Sequence, residues 1–319
     1  MLYSEPIFLE PVYKERIWGG QKLKTAYDYD IPYDKTGEAW VVSAHSHGPS
    51  VIRNGPLRGK TLAVAWENHG ELFNKKSNNN ADYPLLIKIL DATDDLSVQV
   101  HPNDQFARNV EGVPFGKTEC WYVLSAEPGA ELVLGHRAQT IEEVEHMMEN
   151  GEWDNFLQKV PVQAGDFFYV PSGTIHAIGK DIVMLETQQS SDITYRVYDY
   201  DRIDANGDKR ELHLERAKQV TTVPHQTVAV APSSVTIGDL TQATLIEEQY
   251  FSVYHWQLNG KAILKLDKDF LQVTMISGNA VITVDRKSFN IKYGNAFILP
   301  YGIESYELTG DAAFVVSSI

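Results

Sequence analysis

Short runs of apolar residues dominate the chain, and most of them end at Gly, Pro, Asn or Asp. Such runs are rich in β-branched and aromatic residues, which is typical of strands. They include ADYPLLIKIL, LSVQVH, CWYVL, ELVLGH, DFFYVP and DIVMLETQ. Runs of this length at this spacing predict a mainly β protein built as an antiparallel sandwich or barrel.

Two segments break the strand pattern and predict a small helical part. They cover about residues 60–80 and 139–160, where the apolar side chains recur at helical spacing. In the second segment, Thr140 and Glu143 form a predicted capping box at the start of the helix. We expect both helical segments to cover the β core rather than to carry chemistry.

The stretch 222–234 contains two prolines and no charged residue, and is therefore a predicted linker. It divides the chain into an N-terminal part, 1–225, and a C-terminal part, 235–319. A weak internal repeat supports this division, because GDFFYVPSGTIH ends at His176 and GNAFILPYGIES ends at Ser305. In each copy we expect a strand and a Pro-Gly turn that aims the last side chain inward. Only the first copy ends in a metal-binding side chain.

The charge balance excludes some classes of partner. The chain of 319 residues has 28 Lys and Arg against 43 Asp and Glu, a net charge of −15. Nucleic acids and anionic membranes require basic patches, so neither is expected as a partner. An anionic small substrate is compatible if a few cations are placed locally. Cys120 is the single cysteine, and no apolar run approaches the ~20 residues of a membrane helix, so we expect a cytoplasmic protein.

Two predicted strands each carry polar residues at every second position, so that these side chains share one face and could line a binding site. Alternation places Ser97, Gln99 and His101 on one strand face, with apolar residues on the other. On a later strand, Lys117 and Glu119 again share one face. Each row has an alternative reading as a solvent-exposed surface.

Together with His176, these strands supply two imidazoles, one carboxylate and one amide oxygen, a donor set that suits Zn²⁺ or Fe²⁺. The ligand charges sum to −1, so the site stays net positive and favours an anionic or hydroxyl-rich substrate. The turn before His176 resembles the second motif of the cupin superfamily, a jelly roll that holds a metal in its barrel. Lys180 stands where cupins usually have Asn, and Gln99-Val-His101 stands where they usually have His-x-His.

At this point the resemblance narrows to one family. In this order, LSVQVHPND, GKTECWYVL, PSGTIHAIG and SSDITYRVYDYDR are similar to motifs of the type I phosphomannose isomerases, in their shorter bacterial form. RIWGG and GEAWVVSAH also fit. The matching motifs run from Trp18 to Arg202, and a second jelly roll covers most of the remainder. The resemblance implies two cupin-like jelly rolls, the first metal-binding and the second degenerate.

The resemblance also implies an activity and its cofactor. The expected reaction is the interconversion of mannose 6-phosphate and fructose 6-phosphate through an enediol, with one Zn²⁺ per chain. The implied zinc ligands are Gln99, His101, Glu119 and His176. A sugar phosphate is therefore the expected small-molecule partner, and a monomer is compatible with the sequence, which does not settle the oligomeric state.

The resemblance places Arg196 in the active site as a catalytic residue, with Lys117 and Ser97 near the substrate and Trp18 in the pocket wall. A guanidinium rarely loses its proton, so Arg196 suits electrostatic stabilisation better than base catalysis. Its alternative role is an ion pair with a nearby aspartate, Asp199 or Asp201. The base is left open between metal-bound water and Lys117.

Phosphate recognition has several candidates. Lys88, on the PLLIKIL strand, is a candidate substrate-binding residue, or alternatively a lysine directed to solvent. Arg202 and Arg210 lie in a polar loop and are expected to be solvated.

Two other functions remain open at the level of sequence. An Fe²⁺-dependent cupin dioxygenase would use the same two histidines and carboxylate. A non-catalytic sugar-binding bicupin would share the fold, but it would not need all four ligands together.

Overall fold

The computed structural model describes residues 3–76, 81–203 and 207–319, and most of its regular structure is strand. In chain order the strands are β1 (Ile7–Glu10), β2 (Val12–Gly20), β3 (Thr36–Val42), β4 (Val51–Ile52), β5 (Leu85–Ala92), β6 (Val98–Val100), β7 (Glu119–Ala126), β8 (Glu131–His136), β9 (Leu157–Pro161), β10 (Phe167–Val170), β11 (His176–Ile178), β12 (Ile182–Gln189), β13 (Tyr195–Tyr198), β14 (Ser233–Ile237), β15 (Leu240–Glu247), β16 (Ser252–Lys265), β17 (Leu271–Val284), β18 (Lys287–Lys292), β19 (Ala296–Leu299) and β20 (Ser305–Ser318).

The helical part is small. Its α-helices are α1 (Lys22–Thr25), α2 (Leu62–Asn68), α3 (Asp104–Phe106), α4 (Ile141–Glu149), α5 (Trp153–Phe156) and α6 (Leu214–Val220). A 3₁₀ turn follows at Gly70–Phe73 and a π-helical turn at Ala107–Glu111. Within the described ranges, no helix combines the length and the apolar character needed to cross a membrane.

The first jelly roll consists of two antiparallel sheets. The larger has the strand order β10-β7-β12-β5-β2-β3, and the smaller has the order β13-β6-β11-β8-β9. Buried side chains from both sheets, including Trp18, Trp121 and Ile178, form an apolar layer between them. Strands this heavily buried explain why several of the sequence runs are continuously apolar rather than alternating.

The second jelly roll is a single curved sheet of nine strands, which has its own buried core. Its three longest strands, β16, β17 and β20, have 14 residues each. β1 pairs with β19, and β4 pairs with β1, so two N-terminal strands complete this C-terminal sheet. Hydrogen bonds therefore connect residues 1–225 with residues 235–319. The division of the chain into these two parts stays a prediction.

The predicted mainly β fold with cupin-like jelly rolls and a small helical part is confirmed. The predicted helical segment 60–80 contains α2 and the 3₁₀ turn, and its last four residues lie outside the described ranges. The segment 139–160 begins as predicted, because Thr140 Oγ1 accepts a hydrogen bond from Glu143 N at 3.3 Å. The predicted helix end at residue 160 is wrong, since Leu157–Pro161 forms β9 and pairs with β8.

The internal repeat is visible in the backbone. β10 and β19 each follow a glycine with positive φ, Gly165 at 92° and Gly294 at 79°. Each is followed by a turn with a second such glycine, Gly173 at 86° or Gly302 at 93°. The two copies end differently, because His176 is 1% exposed whereas Ser305 is exposed. The expected inward side chain is thus confirmed for the first copy and wrong for the second, where Tyr306 is buried instead.

Candidate metal centre and active site

The smaller sheet of the first jelly roll brings three polar side chains into one row. Gln99 of β6 lies opposite Arg196 of β13 on one side and opposite His176 of β11 on the other. These residues come from sequence positions about 20 to 97 apart, and only the antiparallel register aligns them. The row crosses the inner face of the sheet, and His101 lies beside it.

The larger sheet presents a second row that faces the first. Direct cross-strand neighbours in this row are Trp40 with Lys88, Lys88 with Glu186, and Glu186 with Trp121. The rows meet where the Trp121 ring contacts the His176 ring edge-on, with centroids 5.3 Å apart. The space between the rows is the candidate active site.

Three of the predicted metal ligands converge at the floor of this space. His101, Glu119 and His176 are each at most 1% exposed, and their ligand atoms all lie within 4.8 Å of one another. Glu119 Oε1 is 3.3 Å from His176 Nε2, and Glu119 Oε2 is 3.6 Å from His101 Nε2. Side chains of these types at these separations could hold one metal ion.

Backbone carbonyls orient both imidazoles for metal binding. His101 Nδ1 lies 2.7 Å from Ile193 O, and His176 Nδ1 lies 2.8 Å from Thr174 O. A carbonyl can only accept, so each Nδ1 carries the hydrogen and each Nε2 is an acceptor, with Lys117 Nζ 3.1 Å from His101 Nε2 and Gln99 Nε2 3.3 Å from His176 Nε2. Burial lowers the pKa of both imidazoles, which favours the neutral, ligating form.

The carboxylate of Glu119 is the second sign of a metal site. The side chain is fully buried, and among the described residues neither oxygen accepts a hydrogen bond of good geometry. Lys117 Nζ lies 2.7 Å from Glu119 Oε2 and 3.1 Å from His101 Nε2. Lys117 thus matches the charge at Oε2, and a metal ion between Oε1 and the two imidazoles would supply the partner that the rest of the carboxylate lacks.

Gln99 stands beside this group as the predicted fourth ligand. Its Nε2 lies 3.3 Å from His176 Nε2, and turning the terminal amide by half a turn would present the oxygen at this position. The side chain is therefore close enough to join the cluster, and its ligand role stays a prediction.

A cavity of about 440 Å³ opens above the cluster of His101, Glu119 and His176, which we call the metal group. Six cationic and three acidic side chains line its wall. They are Lys14, Arg16, Lys88, Lys117, Arg196 and Arg210, and Glu38, Glu186 and Asp192. The protein is strongly acidic as a whole, so this cavity is a local concentration of positive charge. It fits an anionic ligand, as the sequence required.

The structure places the predicted substrate residues around this cavity. Trp18, Lys88 and Ser97 line it together with Lys117 and Arg196. Lys88 is 6% exposed, and its Nζ lies 3.1 Å from Glu186 Oε1, so the alternative of a lysine directed to solvent is wrong.

Among the described residues, Arg196 forms no direct ion pair with Asp199 or Asp201, although the charge of Asp199 is near enough to act on it. Its Nη1 donates to Glu211 O at 2.8 Å, while its buried Nε has no partner among the described residues. Burial, followed by the charge of Arg210, lowers its pKa. Asp199 instead binds the guanidinium groups of Arg202 and Arg210.

The loop arginines are therefore not solvated, contrary to the expectation. Arg202 is 17% exposed and its Nη2 lies 2.5 Å from Asp199 Oδ1, and Arg210 Nε lies 2.7 Å from Asp199 Oδ2. Asp199 is 5% exposed, and a carboxylate at this depth needs cationic partners. No local pattern indicates that Asp199, the residue after β13, would be buried between these two arginines.

Several wall residues were missed by sequence reasoning. Glu38 and Trp40 lie two positions apart on β3, and Lys14 and Arg16 precede Trp18 at the same spacing on β2. Period-two alternation back from Trp18 would have found Lys14 and Arg16. Glu186, in contrast, lies in a continuously buried strand whose parity shows no polar face.

Buried imidazoles and a carboxylate inside the first jelly roll, beside a second jelly roll without such a group in its described residues, define a bicupin with a buried candidate metal centre in its first half. Comparison with known proteins narrows this class. The model of the type I phosphomannose isomerase catalytic domain matches residues 7–123, and the model of the mannose-6-phosphate isomerase cupin domain matches residues 241–319.

Two curated relatives match over nearly their whole length. The mannose-6-phosphate isomerase ManA of Bacillus subtilis (strain 168) is 49% identical over 316 residues, covering 99% of each chain. The mannose-6-phosphate isomerase of Streptococcus mutans is 46% identical over 314 residues, covering 98% of each chain. The crystal structure of the mannose 6-phosphate isomerase from Bacillus subtilis superposes with a TM-score of 0.96 at 44% identity, covering 98% of this chain and 99% of that one.

The chain belongs to the type I phosphomannose isomerase family. The predicted class of enzyme, a mannose-6-phosphate isomerase, is thereby confirmed. The two alternatives, a dioxygenase and a non-catalytic bicupin, receive no support from these comparisons.

Proposed function

We propose that this enzyme interconverts mannose 6-phosphate and fructose 6-phosphate through an enediol, with one zinc ion held by His101, Glu119, His176 and Gln99. The buried carboxylate of Glu119 between two Nε2 lone pairs is the observation that carries the proposal. Relatives that are nearly half identical over their full length bear the name of this activity.

Zinc fits the donor set better than the hard cations. Two imidazole nitrogens with one carboxylate are typical of catalytic zinc, whereas Mg²⁺ and Ca²⁺ prefer oxygen ligands. When bound, such an ion polarises the oxygens of the sugar and stabilises the charge that develops during enolisation. The enzyme's own side chains would do the remaining work.

Arg196 would stabilise negative charge on the reacting oxygens. It borders Gln99 in the same cross-strand row, its Nε is unpartnered among the described residues, and a guanidinium retains its proton. Its donor groups are therefore available to a substrate without breaking an ion pair, which suits electrostatic stabilisation in a preorganised site.

Lys117 would act as a protonated donor rather than as a base. Burial lowers its pKa, but Glu119 and Glu186 raise it further, so the pKa lies above its ordinary value. The ammonium would position a substrate hydroxyl through a charge-assisted hydrogen bond.

The phosphate group would interact with cations at the wall of the cavity. Arg210 and Lys88 line it, and each already has a carboxylate partner, Asp199 at 2.7 Å and Glu186 at 3.1 Å, so the phosphate would compete with these ion pairs. Ser97, 5% exposed, can add a hydroxyl donor. We propose a cytoplasmic location for an enzyme that handles this class of metabolite.

The test is conversion of mannose 6-phosphate in D₂O, followed by NMR, with the protein as purified, after chelation, and after metal is restored. We expect activity to disappear on chelation and to return with Zn²⁺ but not with Mg²⁺. We also expect deuterium to enter the product, because an enediol exchanges the migrating proton with solvent.

Three results would contradict parts of this proposal. Full activity after complete metal removal would exclude the metal centre. Better recovery with Fe²⁺ than with Zn²⁺ would reassign the ion. Turnover without any deuterium in the product would favour a direct hydride shift between C1 and C2 over an enediol whose proton exchanges with solvent.

A further inference from the structure

Lys117 stands between the active-site cavity and the metal group. Lys117 and Gln99 line the cavity, whereas the three residues of the metal group do not. An ion that reaches the metal group from the cavity therefore has to pass these two side chains. Gln99 can turn its amide oxygen toward the ion, but an ammonium has no lone pair and cannot become a ligand. Lys117 is thus a cation placed where the metal ion has to arrive.

The ammonium of Lys117 uses an acceptor that the metal ion also needs. Lys117 Nζ lies 3.1 Å from His101 Nε2. Because His101 Nδ1 donates to Ile193 O at 2.7 Å, Nε2 is the remaining acceptor of the ring and has one lone pair. That lone pair cannot accept an N–H and bind a metal ion at the same time. Lys117 and the ion therefore compete for His101.

His176 has no such competitor among the described residues. Its Nε2 lies 3.3 Å from Glu119 Oε1 and 3.3 Å from the amide of Gln99. Both neighbours carry oxygens that can share the ion, so neither has to leave when the ion binds. The difference between the two imidazoles identifies the contact between Lys117 and His101 as the one that metal binding has to break.

Lys117 can leave His101 without becoming an unpaired buried charge. Its side chain is 5% exposed, and its Nζ lies 2.7 Å from Glu119 Oε2 and 3.9 Å from Glu186 Oε1. Both carboxylates are buried, and they stay within reach when the contact with the imidazole is lost. An isolated buried ammonium would be costly, and these two partners prevent that cost. The displacement is a small movement inside an existing network of charges.

From these observations we propose that Lys117 competes with the metal ion for the lone pair of His101 and so lowers the affinity of the enzyme for the ion. This inference rests on the metal centre proposed above. When the ion takes the lone pair, the ammonium loses one acceptor and has an N–H free at the cavity wall. That N–H can then donate to a substrate hydroxyl. Metal binding thereby prepares Lys117 for its role as a hydrogen-bond donor.

The test measures zinc affinity. Full-length protein is stripped by chelation and titrated with Zn²⁺ against a fluorescent indicator that competes for the ion. Lys117→Met keeps an unbranched apolar side chain but has no N–H to donate. We expect its zinc Kd to fall by roughly tenfold or more, which is the scale of one hydrogen bond to a charged group.

Lys88→Met is the matched control. Lys88 is also buried, pairs with Glu186 at 3.1 Å, and is near enough for its charge to act on His101. Within the described ranges it forms no hydrogen bond or ion pair with the metal group. The control therefore removes a nearby charge without removing a competitor, and it should gain clearly less zinc affinity than Lys117→Met.

A second measurement uses the wild-type protein and so does not depend on the folding of Lys117→Met. In ¹H–¹⁵N spectra of the lysine ammonium groups, the Lys117 signal is assigned with Lys117→Arg, which keeps the charge. We expect this signal to shift until one equivalent of Zn²⁺ is bound. Equal zinc affinity of Lys117→Met and the wild type, equal gains in both methionine variants, or a Lys117 signal that zinc leaves unchanged would each overturn the proposal. Failure of the wild type to bind zinc would instead contradict the metal centre itself, on which the proposal rests.

Discussion

Replacing Arg196 with alanine tests whether the active site works by electrostatic preorganisation. Arg196 lies opposite Gln99 in the strand register. Within the described part of the chain, it forms no ion pair with His101, Glu119 or His176. The substitution should therefore leave metal binding intact. Its expected effect is confined to the chemical step.

The magnitude follows from a guanidinium charge at contact distance from a substrate oxygen. For charges about 4 Å apart at an effective dielectric constant of about 20, the Coulomb attraction is about 4 kcal/mol. Removing one preorganised donor from a developing oxyanion typically costs about 2.7–4 kcal/mol, or roughly 10²–10³ in rate. We expect kcat of the Arg196→Ala variant to fall by this factor.

The assay couples fructose 6-phosphate formation to a spectroscopic readout and measures zinc content on the same sample. Arg216→Ala is the matched control, because its side chain is 45% exposed and pairs only loosely, at 3.6 Å, with Glu111. An Arg196→Ala enzyme with normal kcat would refute the catalytic role. Unchanged kcat with a large rise in KM would reassign Arg196 to phosphate binding, and loss of zinc would show that it supports the metal group.

Three further predictions concern the metal, the buried charges and the turn glycines. His176→Ala should lose both bound zinc and activity while keeping its far-UV circular dichroism, and retained stoichiometric zinc would argue against the ligand set. Lys117 and Lys88 hold the pKa of Glu186 below its ordinary value of 4.5 despite burial, so its ionised form stabilises the fold above that pH and this stabilisation is lost as the pH falls. Glu186→Gln, which leaves Lys88 without its buried partner, should cost about 3–5 kcal/mol at pH 7 and flatten the acid side of the stability curve, as denaturant titrations at several pH values would show. Gly173→Ala should cost more than Gly165→Ala, because both positions have positive φ but only at Gly173 would a Cβ meet Thr222 Oγ1, at 2.4 Å; equal midpoints in thermal melts would contradict this.

Local sequence patterns predicted that His101, Glu119 and His176 would converge, whereas their role as metal ligands stays a prediction. Strand parity is a property of neighbouring residues, so Gln99 and His101, or Lys117 and Glu119, could be assigned to a common face without knowledge of the fold. The Pro-Gly turn before His176 also depends on local backbone geometry. The structure brings His101, Glu119 and His176 together as those patterns suggested.

Features that depend on strand pairing were not accessible in the same way. Lys88 and Glu186 are 98 positions apart, and only the β5–β12 register makes them neighbours. Arg210 looked like a solvated loop residue because no local pattern shows that the loop after β13 folds back to place Arg210 against Asp199. The predicted end of the second helical segment was wrong for a related reason, because β9 is defined by its pairing with β8.

The pairing of β1 with β19 constrains how the chain can fold during synthesis. Ile7 and Ile298 are register partners although 291 positions separate them. At ribosomal rates of about 5–20 residues per second, the first strand must wait roughly 15 to 60 s for its partner. The N-terminal strands therefore leave the ribosome with an exposed edge, and the C-terminal sheet closes only when translation is almost complete. Such a chain favours late, concerted closure over sequential folding of two independent units.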